Sequence, residues 1–228
     1  MERRSDIVAV LPAYQCEATV GQVVRGVLRF LSRVVVVSDG STDATAEVAR
    51  EAGAEVEELP VNQGKGAALR RGIQLALASE PEALVLLDAD AQHDPDDLPS
   101  FFERWDASRP GMLIGARLGD ADKIPPVRYW TNYIGSRILS WMTGRDLLDS
   151  QSGYRLLAAD LASALRLAST GYAVESEMLI KAARLGARIE HVEVRTIYND
   201  AGSHFRPVLD TFRISCASVF HKVFGDLD

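Results

Sequence analysis

Short apolar runs alternate with stretches of helical spacing through the first half of the chain. Four short runs predict strands at residues 8–11, 34–38, 55–59 and 84–87. Between them, apolar residues recur every three or four positions, which predicts helices at residues 20–31, 44–52 and 67–78. Thr19 is placed to cap the first of these helices. This alternation is typical of βαβ units, in which helices cover both faces of a mostly parallel sheet.

The second half of the chain is less regular but keeps the same mixture of elements. It predicts strands at residues 112–116, 152–157 and 189–194, the last of which is expected to close the sheet. It also predicts helices at residues 130–142, 175–185 and 207–224. No linker or repeat interrupts the pattern. We therefore predict a single α/β domain with a Rossmann-like, mostly parallel central sheet.

Composition narrows the classes of protein that fit this pattern. A chain of 228 residues with 47% hydrophobic content can bury a sizeable core. The net charge of −7 argues against nucleic-acid binding, which normally needs a basic patch. The two cysteines, Cys16 and Cys216, follow no metal-ligand spacing and are predicted to be buried thiols in a reducing cytoplasm. No run approaches the roughly 20 apolar residues of a membrane-spanning helix, so any membrane contact is expected to be peripheral.

Polar residues follow three of the predicted parallel strands directly. Tyr14 and Gln15 come after the first strand, residues 39–41 after the second, and residues 88–93 after the fourth. Ligands of open α/β sheets bind outside the carboxyl ends of the strands. We therefore expect these residues to line one binding site.

The acidic loop after the fourth strand carries the clearest chemistry. Asp88 and Asp90 are expected on the same side, because alternate strand residues share a face. Two carboxylates this close repel each other unless a cation lies between them, and such oxygen ligands suit Mg²⁺ or Mn²⁺ together with phosphate oxygens. Gln92, and less directly His93, can supply a further ligand. An acidic turn that caps the following helix is the alternative, and we accept it for Asp94, Asp96 and Asp97.

The polar residues after the second strand allow two interpretations. Asp39 is placed to hydrogen-bond a nucleobase or ribose, with Gly40 allowing close approach, or it caps the next helix together with its polar neighbours. The turn at residues 64–66 brings Lys65 towards a phosphate or ribose. However, the chain lacks both the P-loop spacing and the G-x-G-x-x-G fingerprint. Kinases, ATPases and dehydrogenases are therefore disfavoured.

Taken in order, the motifs of the chain closely resemble those of family 2 glycosyltransferases. They are Pro12-Ala13-Tyr14, Asp39-Gly40-Ser41-Thr42-Asp43, Asn62-Gln63-Gly64-Lys65-Gly66 and Asp88-Ala89-Asp90-Ala91-Gln92-His93, continued by Gly115-Ala116-Arg117 and residues 149–155 and 175–177. The chain looks most like the dolichyl-phosphate mannose and polyprenyl-phosphate sugar synthase branch. The resemblance implies a GT-A fold over residues 1–228, with a nucleotide-sugar-binding half (1–116), an acceptor-binding half (117–206) and a C-terminal amphipathic helix (207–228).

The resemblance also implies roles for the matching residues on the donor side. The donor, GDP-mannose or a UDP-hexose, would contact Pro12, Ala13, Tyr14, Asp39, Lys65, Asp88 and Ala89. Mg²⁺ or Mn²⁺ on the diphosphate would be held by Asp88, Asp90 and Gln92. Asp90 would thereby take part in catalysis.

The acceptor side departs from the pattern of this branch at two positions. The resemblance implies that a lipid-phosphate acceptor would be held by Arg117, Arg128, Asn132, Ser203 and His204, with Arg117 also catalytic. Asn132 stands where a serine is usual, and His204 stands where a lysine is common. These departures concern the identity of the acceptor more than the reaction.

Whether the reaction needs a general base depends on the acceptor. The resemblance implies inverting transfer, in which the acceptor oxygen attacks directly. A phosphate oxygen is already ionised, whereas a sugar hydroxyl needs a base, for which Asp149 is the candidate. The alternative for Asp149 is a structural carboxylate that pairs with Arg155 or caps backbone groups. Transfer to a saccharide hydroxyl and a catalytically silent nucleotide-sugar-binding protein remain alternative functions.

Two stretches carry apolar residues at helical spacing. They are Tyr129, Trp130, Tyr133, Ile134, Ile138, Trp141 and Met142, and Val208, Leu209, Phe212, Cys216, Val219, Phe220, Val223 and Phe224. Such stripes are typical of helices packed in a core, and also of helices at a membrane surface when Arg213 and Lys222 flank them. We expect a cytoplasmic protein, with peripheral contact to the inner face of the membrane as one interpretation. The sequence predicts no oligomeric state.

Overall fold

The computed structural model describes residues 2–117, 126–171 and 173–195. Within them, seven strands form one sheet in the order β3-β2-β1-β4-β6-β5-β7. The strands are β1 (Ile7–Ala13), β2 (Val34–Asp39), β3 (Glu55–Leu59), β4 (Ala83–Leu86), β5 (Met112–Ala116), β6 (Arg155–Ala158) and β7 (Ile189–Glu193). The helices are α1 (Val20–Val27), α2 (Thr45–Glu51), α3 (Lys65–Leu77), α4 (Leu98–Ser108), α5 (Pro126–Thr143), α6 (Ala159–Ala164) and α7 (Val174–Arg184). The predicted helix at residues 207–224 lies outside the described residues.

The sheet is mostly parallel, as predicted. β1 lies between β2 and β4, and Val10 is in register with Val35 on one side and Leu86 on the other. β6 runs antiparallel between β4 and β5. β7 pairs with β5 in parallel and closes the sheet at its edge, in agreement with the prediction.

Both faces of the sheet are covered, so the central strands are apolar on both sides. Ile7, Ala9 and Leu11 of β1 pack into one core with α1, α2 and α4. Val8 and Val10 pack into a second core with α3, α5, α6 and α7. Full burial of one such side chain stabilises the fold by about 1.5–3 kcal/mol. The continuous apolar runs in the sequence therefore reflect a three-layer α/β arrangement.

Some predicted boundaries differ from the structure for local reasons. α1 ends at Val27 rather than at residue 31, and a turn follows in which the Val27 carbonyl accepts from the N–H groups of both Phe30 and Leu31. Thr19 precedes α1 but does not cap it. Its hydroxyl donates instead to the carbonyl oxygens of Cys16, at 3.3 Å, and Ala89, at 2.8 Å. The prediction of a Thr19 cap was wrong, and the residue ties α1 to the acidic loop.

The apolar stripe of α5 is only partly buried, so the prediction that it packs in a core is partly wrong. Tyr133 and Ile134 are exposed, and Trp141 is 78% exposed, whereas Leu139 is buried. In the part of the chain that the structure describes, no helix combines the length and the apolar character needed to cross a membrane. Cys16 is half-buried against the first core.

The start of α3 is clamped by a segment from the second half of the chain. The N–H of Gly66 donates to the carbonyl oxygen of Thr170 at 2.7 Å. A Cβ at Gly66 would lie 2.0 Å from the carbonyl oxygen of Ser169. The Glu177 carboxylate accepts from the N–H groups of Ala168 and Ser169, both at 2.8 Å. These contacts join α3 to α7 and hold the loop that precedes α3 in place.

Gly66→Ala is expected to lower the free energy of unfolding by about 1–3 kcal/mol, because the added methyl group meets a backbone oxygen that cannot rotate away. Urea denaturation of purified variants measures the change. Gly171→Ala is the matched control, since no described atom lies within 4 Å of the corresponding Cβ. Equal stability of the Gly66→Ala variant and the wild-type protein would contradict the described clamp.

Candidate active site

The carboxyl ends of β1, β2 and β4 meet at one edge of the sheet, and their loops are joined there. The N–H of Gln15, after β1, donates to the Ser41 hydroxyl at 3.2 Å, and its side-chain amide donates to the Thr42 hydroxyl at 2.9 Å. Tyr14 is 41% exposed at the rim. The loops after β1 and β2 therefore contact each other at this edge, and their sharing of a binding site stays a prediction.

Asp39 supports the loop before α3 and does not cap α2. Its carboxylate is buried and accepts from the N–H groups of Gln63, at 2.8 Å, and Gly64, at 2.7 Å. Asp43 lies just before α2, and its Oδ1 accepts from the Thr45 N–H at 3.1 Å, although the N-cap position itself is Ala44 and has no side-chain cap. The alternative of Asp39 as a helix cap was wrong. A carboxylate oxygen has more than one lone pair, so Asp39 can accept a further donor from a ligand.

Gly40 is needed at this position because two segments approach closely. Its φ of +65° lies in the left-handed region, where a side chain would be strained. A Cβ there would lie 2.4 Å from the backbone nitrogen of Asn62. Gly40 thus allows the loop after β2 to contact the loop that Asp39 holds.

Asp88 and Asp90 lie in a loop rather than in a strand, since β4 ends at Leu86. Strand alternation was therefore the wrong reason for expecting them together. Asp88 forms an ion pair with Lys65, whose Nζ lies 2.7 Å from Oδ1 of Asp88. Lys65 belongs to the first turn of α3 and not to a preceding turn, and its Nζ also lies 2.6 Å from Oε1 of Glu175.

The pKa values of the two loop carboxylates move in opposite directions. Burial, and then the charge of Asp88, raise the pKa of Asp90 to about 6. Burial would also raise the pKa of Asp88, but the charge and hydrogen bond of Lys65, together with the charges of His93 and Arg155, outweigh burial and hold this pKa below its usual value. Asp90 accepts a hydrogen bond from the N–H of Gln92 at 3.0 Å, across Ala91, whose φ is +60°. A positive φ at Ala91 and a raised pKa at Asp90 are features that cluster at functional sites, so this loop is a candidate functional site.

The residues of this loop fit a hard divalent cation that is shared with a ligand. Among the residues that the structure describes, no three His, Cys, Asp or Glu side chains form a group that could hold a metal alone. Asp88, Asp90 and Gln92 would supply protein oxygens, which leaves positions for water and phosphate oxygens, as Mg²⁺ and Mn²⁺ sites commonly have. A cation there would relieve the repulsion that raises the pKa of Asp90.

His93 belongs to the core beside the acidic loop. Its ring is 6% exposed and lies 5.3 Å from the ring of Tyr154. Burial lowers the pKa of His93 to about 4, so the imidazole is neutral near pH 7. Its Nδ1 has no hydrogen-bond partner within the described residues. These contacts do not support the weaker suggestion that His93 is a metal ligand.

Arg117 and Asp149 form a two-bond ion pair next to the acidic loop. Nε of Arg117 donates to Oδ2 of Asp149 at 2.6 Å, and Nη2 donates to Oδ1 at 2.9 Å. Burial would raise the pKa of Asp149, but the charge and hydrogen bonds of Arg117 outweigh it and hold the pKa below its usual value. The structure thus brings together two residues that the sequence analysis placed in the site separately.

The expected alternative partner of Asp149, Arg155, binds backbone carbonyl oxygens instead. Its guanidinium donates to the carbonyls of Ser150 and Ser152, both at 2.9 Å, and of Glu175 at 2.8 Å. Arg155 is 1% exposed. Pairing of Asp149 with Arg155 was therefore a wrong prediction. Arg155 and Glu175 were missed as site residues, although both belong to motifs that carry the family resemblance.

Four predicted acceptor residues are not placed by the structure. The side chains of Arg128 and Asn132, in α5, lie outside the described part of the molecule, as do Ser203 and His204. Their roles stay predictions.

Comparison with known proteins gives three matches that bear on the site. A family model described as Glycosyl transferase family 2 matches residues 8–158. The undecaprenyl-phosphate mannosyltransferase of Micrococcus luteus is 32% identical over 182 residues, which cover 75% of this chain and 74% of that protein. The dolichyl-phosphate beta-glucosyltransferase of Drosophila melanogaster is 31% identical over 233 residues, which cover 89% of this chain and 70% of that protein.

A solved structure has the same fold. Glucosyl-3-phosphoglycerate synthase from Mycobacterium tuberculosis, in complex with Mn²⁺, UDP and glucosyl-3-phosphoglycerate, matches with a TM-score of 0.73. The match covers 96% of this chain and 80% of that chain at 24% identity. At this identity the likeness concerns the fold, and it confirms the GT-A architecture that the sequence implied.

Asp90→Asn is expected to change how stability depends on pH. The pKa of Asp90 is raised from 3.8 to about 6 in the folded protein. The folded state therefore holds this proton more tightly than the unfolded state, and the stabilisation is present at low pH and lost as pH rises through about 6. Between about pH 4 and pH 7, wild-type protein in EDTA should lose about 1–3 kcal/mol of unfolding free energy relative to the Asp90→Asn variant.

Urea denaturation across this pH range measures the difference. Asp96→Asn, which removes an exposed carboxylate from the same loop, is the control and should follow the wild-type profile. Parallel profiles for the wild type and Asp90→Asn would show that Asp90 titrates normally.

Proposed function

The chain belongs to glycosyl transferase family 2 and is a glycosyltransferase, and from this premise we propose that it moves a sugar from a nucleotide-diphosphate sugar to a polyprenyl phosphate. The observation that carries the proposal is the acidic loop with Asp88 and Asp90, at the same sheet edge as Asp39. The donor is proposed to be GDP-mannose or a UDP-hexose. Relatives named for undecaprenyl and dolichyl phosphate support the choice of acceptor.

The donor half of the proposal rests on the charges and loops at the sheet edge. Asp39 holds the loop at Gln63 and Gly64 and has lone pairs left for a base or ribose. Asp88, Asp90 and Gln92 would hold Mg²⁺ or Mn²⁺. A divalent ion supplies Lewis-acid stabilisation of the leaving diphosphate. The Mn²⁺ and UDP bound by the synthase of the same fold support this assignment.

The proposed transfer is a single displacement with inversion. An oxygen of the acceptor phosphate forms a bond to the anomeric carbon, and the bond from that carbon to the diphosphate oxygen breaks. The nucleoside diphosphate leaves with the electron pair. Lys65 lies where its ammonium group can stabilise negative charge near Asp88.

The state of Asp149 favours a phosphate acceptor over a hydroxyl acceptor. A general base for a hydroxyl needs a pKa near the working pH, whereas the pKa of Asp149 is held below its usual value and both of its oxygens accept from Arg117. A phosphate acceptor needs no base. We propose that the pair positions Arg117 towards the anionic acceptor, which charge-assisted hydrogen bonds would recognise.

The first expected outcome is sugar transfer into a lipid fraction. Purified protein, Mn²⁺, labelled GDP-mannose or a labelled UDP-hexose, and vesicles containing undecaprenyl or dolichyl phosphate should yield an organic-soluble, acid-labile labelled product. EDTA should stop the reaction. Asp88→Asn and Asp90→Asn should lower the rate by at least about 100-fold, because even groups behind a metal's direct ligands typically contribute 10- to 100-fold.

Asp96→Asn is the control for these variants and should retain wild-type rates. Label that enters only a water-soluble saccharide would favour the hydroxyl acceptor. Metal-dependent donor binding with neither transfer nor donor hydrolysis would favour a silent binding protein.

Asp149→Asn separates a positioning role from a general-base role. If the acceptor is a phosphate, kcat should fall by less than about tenfold while KM for the lipid phosphate rises, since Arg117 loses its anchor. Loss of a general base costs about 10²- to 10⁴-fold in rate. Steady-state kinetics with varied acceptor measure both constants, and Asp160→Asn, an exposed carboxylate in α6, is the control. A kcat loss above about 100-fold with unchanged KM would contradict the positioning role.

A further inference from the structure

Lys65 lies between two carboxylates that come from different parts of the chain. Its Nζ is 2.7 Å from Oδ1 of Asp88, 2.9 Å from Oδ2 of Asp88, and 2.6 Å from Oε1 of Glu175. The side chains of the three residues are 16%, 24% and 8% exposed, in the order Lys65, Asp88 and Glu175. Lys65 therefore contacts both oxygens of a carboxylate that a metal would also need.

Glu175 is the fixed partner in this cluster. It lies in the first turn of α7, and its backbone carbonyl accepts from the fully buried Arg155 at 2.8 Å. Arg155 is itself fixed by the carbonyls of Ser150 and Ser152. Among the described residues, Oε2 of Glu175 has no hydrogen-bond partner, so this carboxylate keeps capacity for a donor. Glu175 can thus hold an ammonium group without moving its own backbone.

The space around the Lys65 ammonium is limited on the remaining side. A Cβ at Gly153 would lie 2.5 Å from Oδ2 of Asp88 and 3.2 Å from Nζ of Lys65. The backbone at the start of α3 is clamped through Gly66 and Thr170. The backbone of Lys65 is therefore held in place, and an exchange of partners by its ammonium group would need movement of the side chain only.

The net charge of the residues around Lys65 favours the binding of a cation first and of an anion after it. Asp88, Asp90 and Glu175 carry three negative charges, and Lys65 and Arg155 carry two positive charges, which leaves a net charge of −1. The adjacent arginine–aspartate pair cancels itself. A divalent cation would change the net charge to +1, which matches an anionic diphosphate.

We propose that Lys65 is the counter-ion of Asp88 in the metal-free protein and turns to the donor diphosphate when the metal binds Asp88. Glu175 is the positioning residue that keeps Lys65 within reach in both states. The inference rests on the proposed function, because it requires a divalent metal and a nucleoside diphosphate at this site. It adds that Lys65 carries part of the coupling between their binding.

This arrangement differs from a plain metal site in a measurable way. If the metal and the diphosphate were coupled only by touching each other, loss of Lys65 would leave their coupling unchanged. If Lys65 exchanges partners, metal binding releases its charge for the diphosphate, and each ligand strengthens the other through the protein. The coupling factor then depends on both Lys65 and Glu175.

The experiment measures the Mn²⁺ dissociation constant from the electron paramagnetic resonance signal of free Mn²⁺, with and without saturating UDP or GDP. The ratio of the two constants is the coupling factor. The variants are Lys65→Met and Glu175→Gln, and the control is Arg71→Met, which removes a cation from the same helix whose partner is Glu57. UMP and GMP, which lack the second phosphate, serve as control ligands.

In the wild type, Mn²⁺ is expected to bind at least about fivefold more tightly with UDP or GDP than alone. In Lys65→Met, Mn²⁺ alone should bind more tightly than to the wild type, because its competitor for Asp88 is gone, and the coupling factor should fall at least about fivefold. In Glu175→Gln, Mn²⁺ alone should bind more weakly, because Lys65 then pairs with Asp88 only, and the coupling factor should rise, because UDP or GDP then removes a stronger competitor for Asp88. Arg71→Met should match the wild type.

Unchanged or weaker Mn²⁺ binding by Lys65→Met, or an unchanged coupling factor, would overturn the inference while the proposed function stands. Wild-type behaviour of Glu175→Gln would overturn the role of Glu175. Absence of both Mn²⁺ and nucleotide binding in the wild type would overturn the proposed function and the inference with it. Glu175→Gln keeps the shape of the side chain. If Lys65→Met does not fold, the coupling factor of Glu175→Gln tests the inference.

Discussion

Repulsion between two carboxylates held in one short loop is the constraint on which the rest of the site depends. Burial and the charge of Asp88 raise the pKa of Asp90 to about 6, even though Lys65 already contacts Asp88. The carboxylate of Asp88 accepts from the Lys65 ammonium group, and that of Asp90 accepts from the N–H of Gln92. A divalent cation shared with an anionic ligand is the simplest group that would offset the repulsion between these two carboxylates.

The parallel sheet brings the other parts of the site to this loop. β1, β2 and β4 end at the same edge, so Asp39 and the acidic loop lie at the same end of the sheet although 48 residues separate Asp39 from Asp88. The second half of the chain then closes the site, since Glu175 reaches Lys65 and Arg117 pairs with Asp149. The first half of the chain carries Asp39, Lys65 and the acidic loop, and the second half supplies Glu175, which pairs with Lys65.

The sequence predicted the parts that depend on local pattern. The apolar runs of β1, β2 and β4 predicted the sheet edge, and the acidic residues that follow predicted the place of the candidate metal site. Long-range pairing was not predictable in the same way. Nothing near Asp149 indicates that its partner is Arg117 rather than Arg155, and nothing near Thr19 indicates that its hydroxyl binds the Ala89 carbonyl. Only the contact with Lys65 in the folded protein distinguishes Glu175 from other acidic residues in helices.

The central claim is that Asp88, Asp90 and Gln92 hold a divalent metal on the diphosphate of a nucleotide beside Asp39. Anomalous diffraction from crystals grown with Mn²⁺ and UDP or GDP tests it directly. The account predicts one Mn²⁺ peak about 2.1 Å from oxygens of these side chains, with diphosphate oxygens as further ligands. A nucleotide bound at Asp39 whose Mn²⁺ is held elsewhere, with no peak at Asp88 or Asp90, would contradict it.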